Sequence, residues 1–229
     1  MSTISGFLPS TSALHFLNKF PSVPLLTIDV LEQKIPIGNA ANGLCGGMAF
    51  TTRDYFEAGH PVPSCKTAPT SGPLFDHIVK RLFDSFNLPF GPVIYMSLMN
   101  PDLPDQETWM SERGLAPNGR AWIMIKHEWR KIKKDLDGGH LSPLGLIEIK
   151  SFNPLDMGQN HQVLAYGYDL NGTDLTIRIC DSNHPDDDSV TMSLSLAHPE
   201  RTTTVTYSTG ETILCFFRTD YTFCPPPSI

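Results

Sequence analysis

Cys45 lies in the run Asn42-Gly43-Leu44-Cys45-Gly46-Gly47-Met48-Ala49-Phe50. Here a loop-like stretch with Pro, Gly and Asn (Pro36 to Gly43) gives way to a helical pattern from Gly46 to Ala58, stopped by Gly59. A thiol at such a junction stands over the unpaired amides and the positive end of the helix, which favour the thiolate. The thiolate is the nucleophilic form. Free cysteines are also among the most buried residues for steric reasons alone, so position by itself leaves a packing role open.

A base for this nucleophile stands downstream, in Asn160-His161-Gln162-Val163-Leu164-Ala165-Tyr166-Gly167-Tyr168-Asp169, then Asn171-Gly172, then Leu175-Thr176-Ile177-Arg178-Ile179-Cys180-Asp181. Both flanks alternate, and Asn-Gly between alternating runs signals a hairpin. His161 opens the first strand on the face of Val163 and Ala165, and Asp181 closes the second in phase with Leu175, Ile177 and Ile179. Antiparallel pairing sets the start of one strand beside the end of the next, so both residues come to one end of a sheet. An imidazole oriented by a carboxylate is what an attacking thiol requires.

The chain order (Cys at a helix start, His at the head of a strand, Asp on the next strand) resembles that of papain-like cysteine peptidases. Cys45-Gly46-Gly47-Met48-Ala49-Phe50 looks like their helix-opening motif, His161 to Tyr168 like their His strand, and Ile179-Cys180-Asp181-Ser182 like the strand carrying their Asn or Asp. The Asp version is closer to the bacteriocin-leader-processing branch than to papain itself. The resemblance implies an α+β, papain-like fold in a single domain, 1–229. Its helical N-terminal lobe, about residues 40–140, would pack on a C-terminal antiparallel sheet, about 141–220, with the active site in the cleft between.

It further implies a Cys45–His161–Asp181 triad needing no metal or cofactor. The oxyanion hole would be built by the Cys45 amide with Asn39, six residues upstream where papain places its Gln, or with Asn42. Gly46, Gly47, Asn160, Asn183 and Trp109 are candidate cleft residues. Gly46 stands where papain has Trp, and no Asn-Ser-Trp follows the His strand. Aligning on Ala49-Phe50 would put Gly47 at the nucleophile position. Gly46-Gly47 reads better as a close backbone approach behind Cys45.

At 229 residues the chain is long enough for a full core, and 40% hydrophobic with 18% charged residues is a globular balance. The net charge of −7 argues against nucleic acid, since the one basic cluster is Arg130-Lys131-Lys133-Lys134. It alternates with Trp129, Ile132 and Leu136 and reads as a solvated helix face. Apolar runs are too short to span a bilayer, and no basic-then-apolar start signals secretion. Five cysteines without a C-x-x-C pair indicate free thiols, a reducing cytoplasmic setting and no structural zinc. Asn171-Gly172-Thr173, a formal glycosylation sequon, reads as the hairpin turn.

The elements that must position these residues divide the chain. Leu74, Phe75, Ile78, Val79, Leu82, Phe83 and Phe86 make one amphipathic stripe, ended by Pro89; Trp122, Ile125, Trp129, Ile132 and Leu136 make another, closed by Gly138-Gly139. Residues 87–121, rich in Pro, Asn and Gly, read as a long, partly ordered excursion forming a lid or cleft wall. From Pro143 the pattern becomes strands: Leu144 to Lys150, His161 to Asp169, Leu175 to Asp181, Val190 to Leu196, Thr203 to Tyr207 and Thr212 to Arg218. The tail at Cys224-Pro225-Pro226-Pro227 reads as a strap or frayed end.

Other motifs are weaker. Gly43-Leu44-Cys45-Gly46-Gly47 fits a nucleophile elbow, but those hydrolases place the acid before the His and need several strands upstream, where only Leu25 to Val30 qualifies. His127-Glu128 lacks the second His of a zinc-peptidase helix and reads as helix surface, or a partner residue at best. Asp181 to Asp188 lacks a calcium loop's glycine and glutamate, having Asp186 and Met192 there, and reads as a turn with solvated carboxylates. His184 reads as surface, and His15, His60, His77, His140 and His198 as structural.

The expected activity is hydrolysis of a peptide or other small-molecule acyl substrate through a thioacyl-enzyme. The partner is that substrate, without nucleic acid or membrane. A transferase, cyclase or condensing enzyme would use the same residues, as transglutaminases and arylamine acetyltransferases do. A papain-fold binding protein without turnover is the third alternative.

Overall fold

Strands dominate the second half of the chain: Asp174–Cys180 and Thr191–Ser195 bury every second residue, whereas Ser142–Ile147 and the first eight residues of His161–Asn171 are buried on both faces. The computed structural model describes residues 2–20, 24–30, 33–39, 44–88 and 90–228, with 24–30 and 33–39 described as backbone only. The chain opens with β1 (Ser2–Thr3), the short helix α1 (Pro9–Ser12) and the hairpin β2 (Pro24–Val30) and β3 (Gln33–Asn39). The helical part comprises α2 (Cys45–Glu57), α3 (Pro73–Ser85), α4 (Phe90–Met99) and α5 (Arg120–Trp122). The last runs through a π-helical turn (Ile123–Glu128) into α6 (Trp129–Asp137). Then come β4 (Ser142–Ile147), a 3-10 turn (Pro154–Gln159), β5 (His161–Asn171), β6 (Asp174–Cys180), β7 (Thr191–Ser195), β8 (Val205–Tyr207), β9 (Thr212–Ile213) and β10 (Cys215–Arg218).

The architecture is α+β. Strands β10-β4-β5-β6-β7-β8-β9 are neighbours in that order, all antiparallel, with β1 on β5 beyond them. Only Leu214 separates β9 from β10, at opposite ends of this order, and its N–H donates to the Ile147 carbonyl at 2.7 Å. The sheet therefore curls nearly into a barrel. The β5–β6 hairpin turns at Gly172, whose φ of +60° suits glycine. A bulge between Ala165 and Gly167 shifts its register. There β1 approaches so closely that a Cβ on Gly167 would lie 2.8 Å from the Ser2 carbonyl oxygen.

Helix α2 packs on α3 and β5, and its glycines allow it. A Cβ at Gly47 would meet the Ile78 carbonyl oxygen at 2.1 Å; one at Gly46 would meet Ser85 Oγ at 2.3 Å and Gln162 at 2.8 Å. Met48, Ile78, Val163, Ile177 and Phe216 belong to one core shared by helices and sheet. Buried among α2, α3 and the tail, Asp54 accepts from His77 Nε2 (2.9 Å), Arg81 Nη2 (3.2 Å), Tyr221 OH (2.7 Å) and the Cys224 amide (3.2 Å). With Tyr55 OH on the Pro227 carbonyl (2.9 Å), this makes the tail a strap.

Several expectations need correction. Ten residues of the 87–121 excursion form helix α4, with Tyr95, Leu98 and Met99 buried. Gly91 and Pro92 sit in its first turn, where a missing amide costs nothing. The remainder is wound round Arg120, whose guanidinium donates to the Leu98 carbonyl (2.8 Å) and Asp105 (2.7 Å). Pro36 to Asn39, read as loop, belongs to β3. Glu128, read as helix surface, is buried and accepts from the Arg218 amide at 2.9 Å. The acidic run after Asp181 is not simply solvated: Asp188 accepts from Ser10 N and Oγ (2.8 and 2.7 Å), and Asp186 pairs with His15 and Lys66.

Removing the Asp54 carboxylate strands the buried Arg81 guanidinium and leaves the buried His77 without its partner, so Asp54→Ala is expected to cost about 3–5 kcal/mol. Urea unfolding checks this; a loss below about 1 kcal/mol, the scale of surface pairs, would contradict it.

Candidate active site

Cys45 is the first residue of α2, and its side chain is partly exposed. Leu44, the N-cap, supplies no side-chain cap. Its own amide donates instead to Asn18 Oδ1 at 2.7 Å, from the N-terminal arm. Residues 40–43, including Asn42, lie outside the described residues. Asn39 ends β3, where only the backbone is described.

His161, at the head of β5, is buried, and its Nε2 lies 2.7 Å from Asp181 Oδ1. That leaves Nδ1 as the ring nitrogen available to the Cys45 thiol. Asp181 follows the last residue of β6 and is also buried. Its Oδ1 accepts a second bond from the Asn183 amide (2.8 Å), and its Oδ2 accepts from Tyr207 OH (2.7 Å). Burial alone would push the ring toward its neutral form. Asp181 and Cys45, by charge and hydrogen bonding, outweigh it and hold the His161 pKa well above the usual value. Burial likewise works against the Asp181 carboxylate, but His161, the Asn183 amide and Tyr207 together hold its pKa below the ordinary range.

His161 and Asp181 open on a groove of about 330 Å³ whose walls include Asn18, Asn160 and Asn183 and the carboxyl groups of Glu148 and Glu211. Burial, countered by His161 and reinforced by Asp181 and Glu211, raises the Glu148 pKa. Asn160 is locked, accepting from the Glu148 amide (3.0 Å) and donating to the Met157 carbonyl (3.1 Å). His184, expected at the free surface, pairs with Glu211 at 3.1 Å on the groove rim.

The structure thus brings Cys45, His161 and Asp181 together, with Asn160 and Asn183 beside them. Gly46 and Gly47 face α3 and β5 as spacers rather than the groove. Trp109 stands on the exposed stretch before α5, with Arg113 over its ring, away from the groove walls. Sequence reasoning missed Asn18, Glu148 and Tyr207. Only Tyr207 left a trace, as the end of the alternating run Thr203 to Tyr207.

Burial sorts the other thiols. It raises Cys215 to about 12 and pushes Cys180 higher still, so neither ionises near neutrality. Among the described residues no three His, Cys, Asp or Glu side chains are grouped to hold a metal, and no helix is long and apolar enough to cross a membrane.

No protein-family model, curated protein or solved structure matches the chain.

Because the folded His161 pKa is raised, its contribution to stability is complete below the unfolded value and is lost as pH rises through the folded one. Asp181→Asn removes the main opposing charge, so the ring should release its proton at lower pH than in the parent. Titration of the His161 ring protons by NMR checks this, and an unmoved midpoint would contradict the pairing.

Proposed function

We propose that this chain is a cysteine-nucleophile hydrolase of peptide or other amide bonds, working in a papain-like arrangement in a reducing, cytoplasmic setting. The observation that carries the reading is the His161 ring held between the Asp181 carboxylate and the Cys45 thiol, at the start of a helix and beside an open groove. Packing alone gives no reason to set a thiol against an imidazole that lines a groove together with a three-donor carboxylate.

In this mechanism Cys45 gives its proton to His161, and the helix N-terminus steadies the thiolate. Sulfur attacks the carbonyl carbon, and the oxyanion accepts from the Cys45 amide and from Asn39 or Asn42. His161 returns its proton to the leaving nitrogen as the C–N bond breaks, leaving a thioester. A water entering through the groove then loses a proton to His161 and attacks the thioester, releasing the acid and the thiol. Asp181 stays ionised and holds the ring with its second nitrogen toward sulfur.

Iodoacetamide at neutral pH is expected to alkylate Cys45 about tenfold faster than exposed Cys65, because His161 stands ready to take the Cys45 proton. An activated acyl ester should acylate Cys45. His161→Ala should slow that acylation by about 10²–10⁴, the usual weight of a general base, and Cys45→Ala should abolish it. Equal labelling of Cys45 and Cys65, with acylation unaffected by either substitution, would sink the reading. A thioester that resists water and yields to an added amine would replace hydrolysis by acyl transfer.

A further inference from the structure

The N-terminal arm is not a passive wrap. Leu14, Phe16 and Phe20 are sunk in the core, with Phe20 also against Phe75 of α3 (ring centroids 6.2 Å), so Asn18 is held between two aromatic anchors. Its amide nitrogen donates to the Ser182 carbonyl (2.9 Å), its Oδ1 accepts from Leu44 N (2.7 Å) and its Nδ2 donates to Asn183 Oδ1 (3.2 Å). Leu44 precedes the nucleophile. Asn183 donates its own amide to the Asp181 oxygen that holds His161. A continuous hydrogen-bonded path therefore runs from the residue before Cys45, through Asn18 and Asn183, to the imidazole.

We propose that Asn18 is a positioning residue: its carboxamide ties the start of the nucleophile helix to the loop that follows Asp181, and so sets the spacing between the Cys45 sulfur and the His161 ring. This rests on the cysteine-nucleophile reading. The side chain must accept on one side and donate on the other. An aspartate supplies only the acceptor, a leucine neither. Among the described residues Asn18 is the one side chain bonded to both ends. Chemistry between a thiol and an imidazole is sensitive to such spacing, where a misplacement of about 1 Å can cost about 10²-fold.

The test follows alkylation of Cys45 by iodoacetamide across pH in the full chain, with Cys65 as internal reference. In Asn18→Ala the acid limb of the Cys45 profile should move upward by about one pH unit, the scale of a weakened ion-pair partner. Its rate at neutral pH should fall about tenfold. Cys65 should be unchanged. The groups acting on the ring remain in place: Cys45 of α2, Asp181 after β6 and Glu148 just after β4, with Tyr95 of α4 beside Cys45, Tyr207 on Asp181 and Glu211 near Glu148. A moved limb therefore reports spacing. A lower melting temperature with an unmoved Cys45 profile would mean a merely structural role and overturn the proposal. Should Asn18→Ala fail to fold, Asn183→Ala cuts the same tie from its other end. It should shift the profile in the same direction, and an unmoved limb there would be equally decisive. A parent Cys45 no more reactive than Cys65 would remove the nucleophile reading and this role with it. A reactive parent whose profile neither variant moves removes the role of Asn18 alone.

Discussion

A buried carboxylate must be answered with donors, and Asp181 collects its three from separate places. His161 comes from the head of β5, the Asn183 amide from Asp181's own loop, and Tyr207 from β8. Strand β7 lies between β6 and β8 in the sheet, so a flat sheet would carry Tyr207 away from Asp181. Closure of the strand order through Leu214 curls the sheet until the phenol reaches Oδ2. The barrel-like curvature and the orientation of the imidazole are thus two aspects of one requirement.

The chain solves the same problem a second time, with a different result. Asp54 also holds a histidine, together with an arginine, a phenol and an amide. There the carboxylate is surrounded by α2, α3 and the tail, and the cluster serves as an internal staple. Around Asp181 the third side of the imidazole is left to a thiol and a groove. The contrast lies less in residue types than in whether the histidine keeps a face that is not spent on packing.

Much of this arrangement was legible in the sequence. The strands Asp174–Cys180 and Thr191–Ser195 show period two, Asn171-Gly172 marks the hairpin turn, and the stripes from Leu74 and from Trp122 show helical spacing. Local patterns carry such information because each residue reports its own face. What stayed hidden depends on distant partners. Helix α4 is masked by Pro and Gly in its first turn. The pairing of β1 with β5 joins strands far apart in sequence, and the bulge after Ala165 lies where β1 approaches. The acidic loop looked solvated because its partners, Ser10 and His15, lie at the other end of the chain. Within the site, the triad candidates carry motif context, whereas Asn18 and Tyr207 act only through groups brought close by folding.

The five thiols show how placement, rather than residue type, separates chemistry from packing. Cys180 is next in sequence to Asp181 yet faces the interior, where burial and the neighbouring carboxylate both oppose ionisation. Cys215 is sealed in β10. Cys224 lies 3.1 Å from the Lys80 ammonium on the tail strap, and Cys65 is exposed without a base. Cys45 alone joins partial exposure, a helix start and a histidine whose pKa a carboxylate helps to raise. The Gly46-Gly47 pair makes that combination attainable: without side chains there, α2 settles onto β5 closely enough for a residue on its first turn to meet a ring on the first residue of the strand.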